Sequence, residues 1–210
     1  YIPDGQRIIT VEDTAELNLA KSHVLSLQSR PANNEGKGEI TLQQLVINTL
    51  RQRPDRIVVG ECRGPEAFDM LQAMNSGHDG SLTTTHANNP RAALDRLQNL
   101  VQMSRAGANM PPDAIMKIIT EAVDFVVEIK RLPDGSRRVN SICEVCGMQG
   151  NVPTVGSIMK FQKTGVDSGG RIKGEFRPTG SRIVSEDHKE RFYSNGVEIK
   201  SSWFDNGGLW

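Results

Sequence analysis

The 210-residue chain has no long apolar run: stretches such as Ile57 to Val59 and Phe125 to Val127 are only a few residues long. A membrane-crossing helix needs roughly 20, so no span is expected. The chain also has no net charge, since 25 Lys and Arg balance 25 Asp and Glu. That balance argues against a general nucleic-acid binder and against a polybasic membrane surface. Cysteine is scarce and odd in number, three in all, which excludes a disulfide framework and points to a reducing compartment such as the cytoplasm. The first residues, Tyr1-Ile2-Pro3-Asp4-Gly5, carry no methionine, basic segment or apolar segment of a signal peptide, and further sequence is expected upstream. The length suits one full core with a small appendage.

What is present begins with alternating strands and helices. Arg7 to Glu12 reads as a buried strand followed by an acidic cluster over Asp13 to Leu17, and His23 to Gln28 as a second strand. Thr41 is placed to cap a helix over 42–53, with Leu42, Leu45, Val46, Thr49 and Leu50 at helical spacing. Pro54-Asp55 breaks it, and Arg56 to Glu61 follows as a strand buried on both faces, as parallel sheets require. A helix over 65–75, a third core strand over 81–85, a helix opened by Asn89-Pro90, and another after Pro111-Pro112 to Ala122 complete an α/β pattern. Met70, Met74 and Met103 fall at helical positions and read as core filler.

The pattern then shifts to antiparallel β. Phe125–Leu132 and Arg137–Met148 flank the turn Pro133-Asp134-Gly135-Ser136. A second hairpin is expected around 167–170, joining 158–164 to 171–176, then a charged helix over 186–194. The predicted division is 1–122 for the α/β core, 123–196 for a hairpin-rich part and 197–210 for a loosely held tail bearing Trp203 and Trp210.

Two core strands end in carboxylates, Glu12 and Glu61. In open α/β sheets ligands sit beyond the C-terminal strand edge, where a magnesium nucleotide would lie. Phosphoryl transfer needs a group to orient water, a group to hold the metal and donors for the phosphate oxygens. Glu12, Asp13, Glu16, Glu61 and the histidine-rich stretch Gly77 to Asn88 can supply such a set. His86 follows the third strand and is the better phosphate contact, whereas His78 precedes it at the opposite end.

Three motifs here resemble those of the type II/IV secretion ATPase superfamily. Ile9-Thr10-Val11-Glu12-Asp13-Thr14-Ala15-Glu16-Leu17 is similar to its Asp box, Arg56-Ile57-Val58-Val59-Gly60-Glu61 to its Walker B, and Gly77 to Pro90 to its His box. The stretches 31–38 and 176–180 resemble the CpaF-type branch that drives tight-adherence (Flp) pili. The resemblance implies a RecA-like ATPase core followed by an antiparallel β and helical C-terminal part. It also implies ATP and Mg2+ as ligands, a homohexamer, an inner-membrane platform protein as partner, no nucleic acid, and a cytoplasmic protein held peripherally at the inner membrane. Carried onto this chain, Glu12 would position the attacking water, Glu61 would organise Mg2+ through water, and His86 would sense the γ-phosphate. Arg30, Arg51, Arg53 and Arg63 are all candidates for the guanidinium that offsets phosphoryl charge, one of them acting across a subunit boundary.

The chain departs from the family in one respect: no G-x-x-x-x-G-K-[ST] string occurs in it. The core is therefore expected to be truncated at or before the phosphate-binding loop, and the fragment to be inactive alone. A conjugative type IV secretion ATPase and a non-hydrolysing ring or scaffold subunit are the alternatives. Cys143-x-x-Cys146 reads as structural, because strand positions three apart face opposite ways. The absence of a paired C-x-x-C module argues against the type II branch.

Overall fold

The computed structural model describes residues 2–205, which divide into two compact units, residues 2–88 with 92–122, and residues 89–91 with 123–205. The first unit is built on a four-stranded parallel sheet. Its strands are β1 (Ile8–Glu12), β2 (Val24–Gln28), β3 (Arg56–Val59) and β4 (Leu82–Thr83), in the order β2-β1-β3-β4. Every residue of β1 is buried, as expected for a strand covered on both faces. Ile8, Ile9, Val11, Ile57 and Val59 are at or near zero exposure, each contributing on the order of 2 kcal/mol of apolar burial.

The helices of this unit are α1 (Leu42–Thr49), α2 (Glu66–Met74), α3 (Pro90–Gln102) and α4 (Pro112–Ala122). Thr41 caps α1 through a reciprocal box: its hydroxyl accepts from the Gln44 N–H, and the Gln44 side chain accepts from the Thr41 N–H. The helix stops at Thr49, short of the expected 53. Gln52 and Asp55 are drawn back to Arg7, and Arg53 adopts a positive φ of 51°, which a continuing helix does not allow. β4 is also shorter than the expected 81–85, because its ladder holds only Val58–Leu82 and Val59–Thr83. Met70 is buried as expected, but Met103 is 62% exposed, beyond the end of α3.

The second unit carries an antiparallel sheet in simple sequential order, β5 (Phe125–Arg131), β6 (Arg137–Gln149), β7 (Val152–Val166) and β8 (Ile172–Pro178), followed by α5 (Glu186–Ser194). The expected turn at 133–136 closes the first hairpin with Gly135 at φ 82°. β7 starts six residues before the expected 158, because Gly150 at φ 61° turns the chain there. Cys143 is buried and Cys146 half-buried. Ile158, Ile183 and Phe204 form a small core joined by Phe125, Met159, Phe192 and Ile199. Phe204, in the stretch expected to be loose, is therefore packed, after a short 3-10 turn over Ser201–Trp203. Trp210 and the rest of 206–210 lie outside the described residues.

α5 is fastened by a buried polar knot. Glu144, 1% exposed, accepts from the N–H groups of Val184 and Ser185 at 2.9 and 3.0 Å and pairs with His188 Nδ1 at 2.8 Å. His188 Nε2 lies 3.1 Å from Asp124, whose other oxygen pairs with Arg191 at 2.8 Å. The hydrogen bond to Asp124, with that to Glu144, raises the His188 pKa against the opposing effect of burial. Burial alone would raise Glu144, but its donors outweigh this and hold it below 4.5.

Removing the Glu144 carboxylate strands two backbone N–H groups and a buried imidazole, so Glu144→Ala is expected to cost about 3 kcal/mol. The pH dependence has two limbs. The raised His188 contributes fully below its unfolded pKa of 6.5 and loses its contribution as pH climbs through the folded value. The lowered Glu144 contributes above 4.5 and loses its contribution as pH falls through its folded value. The thermal midpoint gap between the native chain and His188→Gln should therefore be widest between pH 4.5 and 6.5 and narrow on the alkaline side; a gap that widens as pH rises above 6.5 would contradict the knot.

Candidate functional site

The parallel register sets the site. Val11 of β1 pairs with Val59 of β3, and Val59 with Thr83 of β4, so the residues just after these positions emerge at one edge of the sheet. Glu12 is the last residue of β1, Glu61 lies two past the end of β3, and His86 three past the end of β4. Further bonds tie the loops that follow. The Cys62 N–H donates to Thr84 O at 2.9 Å, and the Thr84 hydroxyl to Gly60 O at 2.7 Å.

Glu12 is 4% exposed. Its Oε1 accepts from the N–H groups of Glu16 and Leu17, both at 3.0 Å, so the turn after β1 wraps back onto its own strand-end carboxylate. Its Oε2 is buried with no hydrogen-bond partner, which leaves an acceptor unused where desolvation makes that costly. Gly60 permits the approach of β3, since a Cβ there would lie 3.1 Å from Glu12 Cγ. Any larger residue would press on the carboxylate.

Glu61 is held between two cationic or ionisable partners. Arg63 Nη2 lies 2.6 Å from its Oε2, and His86 Nε2 lies 3.4 Å from its Oε1. The Arg63 hydrogen bond, with help from His86 and Arg96 nearby, holds the Glu61 pKa below the usual carboxylate range despite partial burial. The same guanidinium lies 3.8 Å from Asp13 and so links the ends of β1 and β3. Beside His86 opens a concavity of about 520 Å³, lined in part by Asn88, Asp95, Arg96 and Asn99.

The edge thus gathers Glu12, Asp13, Glu16, Glu61, Arg63 and His86. His78 stands elsewhere, in the turn before β4, with Nδ1 3.1 Å from Ala73 O. Arg51 and Arg53 are exposed in the loop after α1, beside Gln52, whose carbonyl accepts from Arg7 ahead of β1; that is the opposite edge of the sheet. Arg30 follows β2 and donates to Gly38 O at 2.8 Å. Two residues of the edge were not singled out from sequence. Glu66, 4% exposed, accepts from the N–H groups of Arg63 and Gly64 at 2.6 and 2.7 Å and pins the turn that carries Glu61 and Arg63. Pro65 made it look like an ordinary helix start, and the acidic residue in the first turn was the available signal. Arg96 lies on α3, past the end of the stretch Gly77 to Pro90, so no motif includes it.

Comparison with known proteins agrees with this architecture. The family of type II/IV secretion system proteins matches residues 1–188. A putative conjugal transfer protein of Mycobacterium tuberculosis is 41% identical over 153 residues, which is 73% of this chain and 42% of that protein. The type IV secretion system protein VirB11 of Bartonella quintana is 36% identical over 141 residues, 67% of this chain and 39% of its own length. Among solved structures, the VirB11 ATPase of the Brucella suis type IV secretion system, in complex with sulphate, superposes with a TM-score of 0.60 at 32% identity, covering 68% of this chain and 41% of that one. The chain spans about two fifths of the length of these relatives. With a match across most of its length and a mixed parallel and antiparallel fold shared with a solved member, the chain belongs to the type II/IV secretion system protein family.

Proposed function

We propose that the chain is part of an ATP-hydrolysing motor of a conjugative or type IV secretion system, with its reaction centred on Glu12, Glu61, Arg63 and His86. The names of the relatives favour this over the tight-adherence branch suggested by the motifs at 31–38 and 176–180. The observation that carries the reading is the buried, unpartnered Oε2 of Glu12 at the C-terminal edge of a parallel sheet. A carboxylate anchored by two backbone N–H groups through one oxygen keeps the other free to accept a hydrogen bond from an attacking water.

Glu61 is kept ionised by Arg63, and with Asp13 it offers hard oxygen donors. Among the described residues no cluster forms a metal cage of its own, which suits Mg2+, an ion carried largely by phosphates and water. When bound with ATP, that ion supplies charge neutralisation on the phosphate oxygens. Glu61 would hold it through water. His86, with a side chain 92% exposed, stands ready to donate to a terminal phosphate, and Glu66 keeps the Glu61–Arg63 turn in place. Arg63 is the in-subunit guanidinium of this reading. Arg51 and Arg53, exposed at the opposite edge, and Arg30, exposed just after β2 and bonded to Gly38 O, are the candidates for a neighbouring subunit's site in a homohexamer. The motor would work on a membrane platform protein from the cytoplasmic face of the inner membrane; among the described residues no helix is long and apolar enough to cross a membrane.

In the full-length protein, Glu12→Gln should lower ATP turnover at least about a hundredfold while nucleotide affinity changes little, as read by steady-state hydrolysis and equilibrium binding. Equal rates in the two proteins would remove Glu12 from the reaction. Arg63→Ala should lower kcat at least about tenfold and leave the thermal midpoint nearly unchanged, because an exposed ion pair adds little stability. In cells, Glu12→Gln should abolish substrate transfer and leave surface pili intact; the opposite outcome would restore the tight-adherence assignment.

A further inference from the structure

We propose that the turn end of the antiparallel sheet is a docking surface for anionic phospholipid headgroups. The alternation of strands puts the β5–β6 and β7–β8 turns at the same end, and two contacts hold them side by side. Asp134 Oδ2 accepts from the Ile172 N–H at 2.7 Å, while Oδ1 accepts from the N–H and hydroxyl of Ser136 at 3.0 and 2.7 Å. The Arg138 guanidinium donates to Ile172 O at 3.4 Å and lies 5.4 Å from the Phe161 ring centroid. The two tips therefore form one built platform.

Whole-chain neutrality conceals a strong local excess there. Between residues 125 and 182 ten Lys and Arg stand against five Asp and Glu. The acids near the tips are already engaged. Asp134 serves the backbone, Asp167 Oδ1 accepts from the N–H groups of Gly169 and Arg171, and Glu175 pairs with Arg177. Exposed Arg131, Arg137, Lys163, Arg171 and Lys173 are left with no carboxylate partner among the described residues. Arg138, Arg171 and Lys173, with Thr164, border a concavity of about 430 Å³ beside the second turn.

The neighbours of these cations select the occupant. Val166, 53% exposed, leads into the second turn, and the cross-strand pair Ile129 and Val139, 64% and 39% exposed, leads into the first. Aliphatic side chains among cations match a bilayer interface, where methyl groups enter the headgroup layer and Lys and Arg meet phosphates. A single-stranded nucleic acid would call for stacking aromatics at the tips, and neither turn has one. The platform belongs wholly to the second unit, so it stands or falls independently of the proposed ATPase reaction.

The test is sedimentation of the whole 210-residue chain with vesicles of phosphatidylcholine, pure or mixed with phosphatidylglycerol. Binding is expected only to the mixed vesicles, and it should weaken as salt is raised. Each cation near such a surface contributes roughly fivefold in affinity, so Arg137→Ala/Arg171→Ala/Lys173→Ala together should lose about a hundredfold. Lys189→Ala/Lys200→Ala, away from the tips, should bind as the native chain does. Should the triple variant lose thermal stability, Arg131→Ala/Lys163→Ala must show a corresponding loss of binding. Failure of the native chain to bind mixed vesicles at low salt, a triple variant that binds as well as native, or a preference for single-stranded oligonucleotide over vesicles would each overturn the proposal.

Discussion

The first unit depends on the parallel pairing of β1 with β3, Val11 opposite Val59. A shift of one residue would turn Val11 and Val59 to the wrong faces and carry Glu12 away from Gly60. The burial of all of β1 specifies that register strongly, because no alternative keeps so much apolar surface out of water. The strand that is buried along its whole length also presents the buried carboxylate.

Around Glu12 and Glu61 the chain satisfies its carboxylates unequally. Glu61 is met at both oxygens, by Arg63 and His86, whereas Glu12 and Glu66 each take two backbone donors on Oε1, and of these two it is Glu12 whose Oε2 is buried without a partner. In a folded interior a buried acceptor left without a donor is costly. Glu144 in the second unit is the contrasting case: equally buried, it is bonded at both oxygens and holds α5. The two buried glutamates thus differ in how donors reach them, Glu144 at both oxygens and Glu12 at one.

Much of the fold was legible. Apolar runs located β1 and β3, alternation located β2, and Thr41 marked the start of α1. Pro133-Asp134-Gly135-Ser136 marked the first hairpin because its turn chemistry is local. The extents of α1 and β4 were not legible, since the first is cut short by contacts with Arg7 and the second by a short ladder at the sheet edge. Of the edge residues, Glu12, Glu61 and His86 could be named from motifs. Which arginine joins them could not, because Arg51, Arg53 and Arg63 look alike in sequence and only the β3–α2 turn brings Arg63 to Glu61.

By itself, the sequence determined the class of the fold and the motif-borne residues, because hydrophobic period, caps and turn residues act over a few positions. Tertiary structure alone decided the partnerships: Glu61 with His86, Glu144 with His188, Asp134 with Ile172, and the gathering of cations at one end of a sheet. Each joins residues some 25 to 44 positions apart. Local propensity carries no information over such separations, and the pairing appears only once strand register and turn geometry have set which side chains face one another.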